Sequence, residues 1–195
     1  MSGIAVNSLS VVTEQLKGTL RHPHKLLNLI SIWKGDITRL EVDAIVNAAN
    51  ARLAGGGGVD GAIHRAAGPE LLHECKQLGG CEPGEAKLTK GYQLYAKHVI
   101  HTVGPMNQDA KVLRDCYLNS LDLCQTNGFR TVAFPCIATG VYGYPSDDAA
   151  LVALSTVKQW LETDQHDQAL DRIVFCVFSD KDLELYKETI PKVFI

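Results

Sequence analysis

Apolar residues along this chain fall into two alternating patterns. Short runs rich in apolar and β-branched residues predict strands over residues 26–34, 42–46, 86–90, 97–103, 131–138 and 172–178. The stretches that follow them predict helices over residues 59–67, 69–78, 109–127, 146–162 and 182–193. Ser146 is the predicted N-cap of the fourth helix. Strands that alternate with helices predict an α/β fold around a mainly parallel sheet.

The first 25 residues are more polar and carry one weak helical stripe of leucine and valine, made of Leu9, Val12, Leu16 and Leu20. We treat residues 1–25 as an N-terminal extension that supplies at most one docked helix. Residues 26–195 are then long enough to form one domain with a sizeable core.

Four consecutive glycines, residues 55–58, lie between the predicted strand 42–46 and the predicted helix 59–67. Glycine lets another group approach the main chain closely, and successive N–H groups that lead into a helix N-terminus form a site for an anion. A flexible surface loop is the simpler alternative. The short polar residues at its rims, Asn50 and Asp60, favour a binding loop.

Two better-known glycine motifs fit this loop poorly. Gly56, Gly58 and Gly61 match the dinucleotide fingerprint formally, but the acid about 20 residues later, Glu82, lies in a loop bounded by glycine and proline. A phosphate loop of the nucleotide triphosphatases requires a lysine after its last glycines, where this chain has Asp60. We therefore expect neither of these sites.

A second glycine loop, residues 139–145, follows the predicted strand 131–138. Ligands of open α/β sheets bind beyond the carboxyl ends of the strands, so two such loops suit a ligand with two linked phosphates. Asp36, after the first strand, either caps its own turn or accepts a hydrogen bond from the amine of a base. Phe178, at the end of the last strand, can stack on a ring. These residues indicate a nucleotide diphosphate.

Composition narrows the choice of partners. The 195 residues carry a formal charge of −3 and a pI of about 6.1, which argues against binding to a nucleic-acid backbone. A phosphate ligand is therefore expected to be held by backbone N–H groups. The sequence shows no membrane-spanning stretch and no signal peptide, so we expect no membrane partner.

Six cysteines lie mostly inside apolar segments and form no Cys-x-x-Cys pair, which is typical of reduced thiols in a cytosolic or nuclear protein. We expect a cytoplasmic protein, possible also in the nucleus of a eukaryote. The spacing of His73, Cys75 and Cys81 matches no common zinc site, so we predict no metal.

Several motifs in order along the chain, residues 35–38, 46–50, 55–64 and 139–143, resemble the macrodomain family. The longer string 56–69 closely resembles the MacroD-type hydrolase branch of that family. The resemblance covers about residues 26–190 and implies a three-layer α/β/α sandwich with a mixed, mainly parallel central sheet. It also implies a site for ADP-ribose.

Carried over residue by residue, the resemblance implies that Asp36 contacts the adenine amine, that the Ile37 backbone contacts the ring edge and that Phe178 packs on the adenine. The diphosphate would be held by the backbone of Gly57, Gly58, Val59, Thr139, Gly140, Val141 and Tyr142.

The resemblance also implies catalytic roles at the distal ribose. Asn50 would hydrogen-bond the hydroxyls of this ribose, Tyr142 would lie against it, and Asp60 would orient or deprotonate the attacking water. The substrate's own phosphate can share in activating that water. The branch usually carries serine at the position of Ala138, so this chain lacks one hydroxyl beside the second loop.

The resulting expectation is a hydrolase that removes ADP-ribose from modified acidic residues of proteins and deacetylates O-acetyl-ADP-ribose. The alternative is a module that binds ADP-ribose without cutting it. Expected partners are ADP-ribose and ADP-ribosylated proteins. We expect no nucleic-acid partner other than RNA ends that carry ADP-ribose. We expect a monomer and no cofactor.

Overall fold

The computed structural model describes residues 2–195, so Met1, the first residue of the predicted extension, lies outside the described residues. The strands are β1 (Ile4–Ala5), β2 (Ile30–Lys34), β3 (Leu40–Glu41), β4 (Ala44–Ala48), β5 (Ala86–Lys90), β6 (His98–Thr102), β7 (Thr131–Phe134) and β8 (Arg172–Val177). The α-helices are α1 (Val12–Gln15), α2 (Gly58–Ala67), α3 (Pro69–Gln77), α4 (Ala110–Thr126), α5 (Ser146–Glu162) and α6 (Asp180–Val193). Short 3-10 helices cover Val6–Ser8, Lys25–Leu29, Ile37–Arg39 and His166–Gln168.

Six strands form the central sheet in the order β2, β8, β7, β4, β6, β5. Every neighbouring pair is parallel except β5 and β6, which are antiparallel. The predicted mixed, mainly parallel sheet is therefore confirmed. The two shortest strands, β1 and β3, pair with each other in a separate parallel ribbon.

Side chains that alternate along each strand divide between two hydrophobic cores, as the two-residue period of a strand requires. In β4, Ala44 and Val46 face the core under α4, α5 and α6, whereas Ile45 faces the core under α2 and α3. Each face of the sheet is thus covered by helices, which confirms the predicted three-layer sandwich.

Several predicted boundaries differ from the structure, and three of these differences have a clear local cause. Residues 25–29 form a 3-10 helix and not the start of a strand, because the His24 ring accepts a hydrogen bond from the Leu26 N–H and begins a helical turn. The strand predicted over 131–138 ends at Phe134, since Pro135 has no N–H for the sheet. Ser146 is the first residue of α5 and not its N-cap, because the Pro145 carbonyl accepts the first helical hydrogen bond, from the Ala149 N–H.

The N-terminal extension packs against the sheet edge formed by β2. The Gln15 amide donates to the carbonyl of Ile32 at 2.7 Å and accepts from its N–H at 3.2 Å, so one side chain satisfies both backbone groups of an edge residue. Val12 and Leu16 are buried in the larger core. This contact covers an edge that would otherwise be open to another strand.

Asp43 ties together the starts of β4 and β7. Its carboxylate accepts from the backbone N–H groups of Arg130 at 2.7 Å and Thr131 at 3.1 Å, and it pairs with Lys97 at 3.3 Å. Partial burial tends to raise the pKa of this carboxyl, but these donors lower it more, so the pKa lies below its ordinary value. The ionised form is therefore the one that stabilises the fold.

We predict that Asp43→Ala lowers the free energy of unfolding by about 1–2 kcal/mol at pH 7, because two strand-end N–H groups lose their acceptor. A lowered carboxyl pKa contributes stability that is present above the unfolded-state pKa of about 4 and is lost as the pH falls below that value, through the lower pKa of the folded state. Urea unfolding should show a smaller difference in unfolding free energy between Asp43→Ala and the parent at pH 3.5 than at pH 7.

The matched control is Glu188→Ala, which removes an exposed acid of α6 and should change stability by less than about 0.5 kcal/mol. A difference at pH 7 that persists undiminished at pH 3.5 would contradict the assigned role of the Asp43 charge.

Candidate active site

The crevice expected from the sequence lies where the chain turns in opposite directions from two neighbouring strands. After β4 the chain continues to β5 and β6 on one side, whereas after β7 it continues to β8 on the other. The two glycine loops follow β4 and β7, so they emerge side by side at the carboxyl edge of the sheet. This is the topological switch point at which open α/β sheets bind ligands.

The first glycine loop is held in shape by Asn50. Its amide donates to the Gly55 carbonyl at 2.8 Å, and its oxygen accepts from the Ala54 N–H at 3.2 Å. Leu53 is buried with a φ of 53°, and Gly55 has a φ of 76°, so the loop turns sharply twice within these contacts. Both polar atoms of the Asn50 side chain are therefore engaged by the loop, and its role at a ribose stays a prediction.

Helix α2 begins directly in this loop, with Gly57 as its N-cap and no side chain to cap it. The first N–H groups of a helix have no intrahelical partner, and the helix dipole favours negative charge there. Gly57, Gly58 and Val59, the residues predicted to hold a diphosphate, supply these N–H groups. The arrangement suits an anion.

The second loop is a pair of nested turns. Gly143 N–H bonds the Gly140 carbonyl at 3.0 Å, and Tyr144 N–H bonds the Ala138 carbonyl at 2.9 Å. Ala138 has a φ of 66°, a left-handed conformation that costs a residue with a Cβ about 1 kcal/mol or more. Strain of this kind is typical of functional loops.

The two middle residues of the second loop present different faces. Val141 is fully exposed, whereas Tyr142 is half-buried and packs against the larger core. The Thr139 hydroxyl donates to the Cys136 carbonyl at 3.1 Å, so Thr139 contributes to the shape of the loop through its side chain. The loop thus presents backbone and one exposed apolar side chain to the crevice.

Asp36 and Phe178 lie at the far end of the crevice, after the paired strands β2 and β8. One carboxylate oxygen of Asp36 accepts from the N–H and hydroxyl of Thr38, at 3.0 and 2.7 Å. Asp36 therefore caps its own turn through Oδ1, and its Oδ2 takes no part in that cap. Ile37 is buried, whereas Phe178 is 90% exposed, as an aromatic side chain available for stacking would be.

Asp60 is a nearly buried acid on the first turn of α2. Its Oδ1 accepts from the Asn47 amide at 2.8 Å and lies 3.4 Å from His64 Nε2. Its Oδ2 faces the glycine loop, because a Cβ added to Gly56 would lie 3.2 Å from this oxygen and 3.7 Å from Asn50 Nδ2. The structure thus brings Asn50 and Asp60 together at one point of the loop.

Sequence reasoning indicated that His101 is a hydrogen-bonded core residue, but it missed the connection from His101 through Asn47 to Asp60. Asn47 is fully buried and also bonds His101 Nδ1 at 3.1 Å, while His101 Nε2 lies 2.9 Å from the Thr89 hydroxyl. Burial, and secondarily the nearby His64, lowers the pKa of His101 to about 3. The one signal in the sequence was His101, a polar residue inside the otherwise apolar predicted strand 97–103.

The surroundings of Cys75 argue against a thiol nucleophile beside Asp60. Burial, followed by the charges of Asp60 and Glu74, raises the pKa of the Cys75 thiol to about 11, so Cys75 is no nucleophile. Among residues 2–195, no three His, Cys, Asp or Glu side chains form a group that could hold a metal ion. No helix in the same range is long and apolar enough to span a bilayer.

We predict that Gly61→Ala distorts the first loop, because the new Cβ would meet the Gly56 carbonyl oxygen, 2.4 Å from its ideal position. Alanine usually stabilises a helix interior by about 1 kcal/mol over glycine, yet here overpacking should lower the free energy of unfolding by about 1–3 kcal/mol. Chemical denaturation measures this change.

Gly57→Ala is the matched control, since a Cβ at that position meets nothing within 4 Å. It should leave the unfolding free energy within about 0.5 kcal/mol of the parent. A Gly61→Ala variant more stable than the parent would show that the loop does not rest on the helix.

Comparisons with known proteins agree with this geometry. The model of the Macro domain family matches residues 46–153. Human ADP-ribose glycohydrolase MACROD2 is 49% identical over 208 aligned residues, and ADP-ribose glycohydrolase MACROD1 of Rattus norvegicus is 57% identical over 171. These alignments cover 98% and 85% of this chain, but the chain spans only 48% and 66% of the relatives' lengths. A Trypanosoma brucei macrodomain solved in complex with ADP-ribose is 43% identical, with a TM-score of 0.89 over 97% of this chain and 78% of that one. The chain belongs to the Macro domain family.

Proposed function

We propose that this protein hydrolyses ADP-ribose esters, both the mono-ADP-ribosyl groups on acidic side chains of proteins and O-acetyl-ADP-ribose. Relatives that share about half of its residues are named ADP-ribose glycohydrolases, and a structural relative binds ADP-ribose. Family membership alone does not separate binding from turnover, so the proposal depends on what the crevice contains.

Binding of the nucleotide is supported by the order of groups along the carboxyl edge of the sheet. Phe178 and Asp36 follow β8 and β2 at one end, where they would bind an adenine. The two glycine loops follow β4 and β7 and would hold the diphosphate, and Asn50 and Asp60 would bind the distal ribose. Because the protein carries a net charge of −3, the diphosphate relies on backbone N–H groups and on the N-terminus of α2.

The single observation that carries the hydrolase proposal is the placement of Asp60. Its side chain is only 8% exposed, with one oxygen fixed by Asn47 and the other turned to the first glycine loop. A carboxylate in this position can take a proton from water, which is worth about 10²–10⁴-fold in rate. An acid with no role in the reaction would more simply point into solvent.

The proposed reaction is an attack by water on the ester that joins ADP-ribose to its acceptor. The water oxygen bonds to the anomeric carbon, or to the acyl carbon of the acetyl ester, while Asp60 accepts the water proton. The bond to the leaving oxygen breaks, and the leaving group departs as a carboxylate or, in the acetyl case, as a ribose hydroxyl after protonation. Fixing the ribose by the loops contributes further through orientation.

One observation favours the rival function, a module that binds ADP-ribose without cutting it. Both polar atoms of Asn50 are used by the loop, so this residue acts first as a structural clasp. A binding module needs only the loops, Asp36 and Phe178. Turnover, and not affinity, distinguishes the two functions.

We predict that Asp60→Ala lowers the rate of ADP-ribose release from a glutamyl-modified protein by about 10²–10⁴-fold, because the general base is lost. Calorimetry with ADP-ribose should show a dissociation constant within about threefold of the parent, since the loops are backbone-built. Glu188→Ala, an exposed acid on α6, is the control and should keep both values.

An Asp60→Ala variant as fast as the parent would remove this mechanism. A parent protein that binds ADP-ribose but releases none from either ester would establish the rival function.

A further inference from the structure

Behind the proposed base lies a chain of buried polar side chains that crosses three adjacent strands. It runs from Asp60 to Asn47 on β4, to His101 on β6 and to Thr89 on β5, with contacts of 2.8, 3.1 and 2.9 Å. Asn47 and His101 are fully buried, and Thr89 is 2% exposed. Asn47 and His101 are also register partners on parallel strands, so their side chains stand side by side on one face.

The Asp60 carboxylate, which can only accept, sets the donors and acceptors of this chain. Asn47 Nδ2 carries two hydrogens and no lone pair to accept with. One hydrogen goes to the Asp60 carboxylate and the other to His101 Nδ1, which must therefore be unprotonated. The proton of the neutral ring is then on Nε2, where it faces the Thr89 hydroxyl.

Reversing the Asn47 amide would break this arrangement. Its oxygen would then face the Asp60 carboxylate at hydrogen-bond distance, with no proton between two acceptors, even if the His101 proton moved to Nδ1 to meet it. In the observed orientation that oxygen is buried without a hydrogen-bond partner. An unsatisfied buried oxygen is rare in folded proteins, and here it marks an orientation imposed by the neighbours.

We infer that His101 and Thr89 are positioning residues, which lock the Asn47 amide so that it holds Asp60 in the orientation that turns Oδ2 toward the ligand. His101 takes no part in proton transfer, because its neutral ring is fully buried and touches Asp60 only through Asn47. This inference rests on the proposed hydrolase function, but it concerns residues that do not reach the crevice.

The first test compares two variants of His101. His101→Leu removes the acceptor at Nδ1, whereas His101→Asn keeps an acceptor oxygen near the same place. We expect His101→Leu to lower kcat by about 10–100-fold through misplacement of the base, with KM and ADP-ribose affinity within about threefold of the parent. His101→Asn should recover at least about a third of the lost kcat on a logarithmic scale.

A second pair avoids any change to the ring, in case His101→Leu fails to fold. Thr89→Val keeps the shape and removes the hydroxyl, whereas Thr89→Ser keeps the hydroxyl. We expect Thr89→Val to lower kcat by about threefold to tenfold and Thr89→Ser to lower it less. Ser120→Ala is the control for general destabilisation, because Ser120 is a fully buried hydroxyl of α4 in the other layer and should not change kcat.

A spectroscopic measurement tests the orientation without any activity assay. Nitrogen-15 NMR of His101 in the parent protein should show a neutral ring with its proton on Nε2 from about pH 5 to pH 9. A proton on Nδ1, or a charged ring in this range, would overturn the inference. So would a His101→Leu variant with the kcat of the parent, or one whose kcat and ADP-ribose affinity fall together. A parent without turnover would instead contradict the proposed function, and the NMR result would still decide the orientation.

Discussion

The hydrogen bond between the Asn47 amide and the Asp60 carboxylate joins the two halves of the site. Asn47 belongs to the sheet and Asp60 to the helix that begins in the glycine loop, so this bond fixes the helix start relative to the strand end. Burial of a charged group is costly unless donors replace water. Asn47 replaces water on one side of the Asp60 carboxylate. The carbonyl of Asn47 is then left without a partner, which costs about 1–3 kcal/mol. This is a large fraction of the stability of a small domain.

A steric constraint acts at the same place as this bond. Gly61 has no room for a Cβ because the Gly56 carbonyl rests on it, so the glycine loop folds back over the first turn of α2. The loop is therefore held by contact with the helix at Gly61 and by the hydrogen bonds of Asn50. The unpaired N–H groups at the start of α2 and the Asp60 carboxylate consequently lie close together.

Much of this architecture could be predicted because its causes are local. Apolar runs and helical spacing predicted the layers, and the two loops at strand ends predicted the crevice. The chain behind Asp60 could not be predicted, because Asn47, His101 and Thr89 become neighbours only through a strand order and register that no short pattern encodes. The same holds for Gln15, whose amide pairs with an edge strand 17 residues away. Ser146 was misassigned as an N-cap because the carbonyl of Pro145 accepts the first hydrogen bond of α5. Residues 26–29 were misassigned as strand because the His24 ring caps a helical turn there.

The choice of backbone donors resolves a conflict between two needs of the site. A diphosphate requires positive charge, but a lysine or arginine at the distal ribose would pair with Asp60 and compete with water for its oxygen. Among the ion pairs of residues 2–195, Asp60 contacts His64 and no lysine or arginine. The partial charges of N–H groups at a helix N-terminus attract an anion but form no ion pair with the acid. Under the proposed function, this is how a net negative chain would hold a pyrophosphate and keep one carboxylate oxygen available.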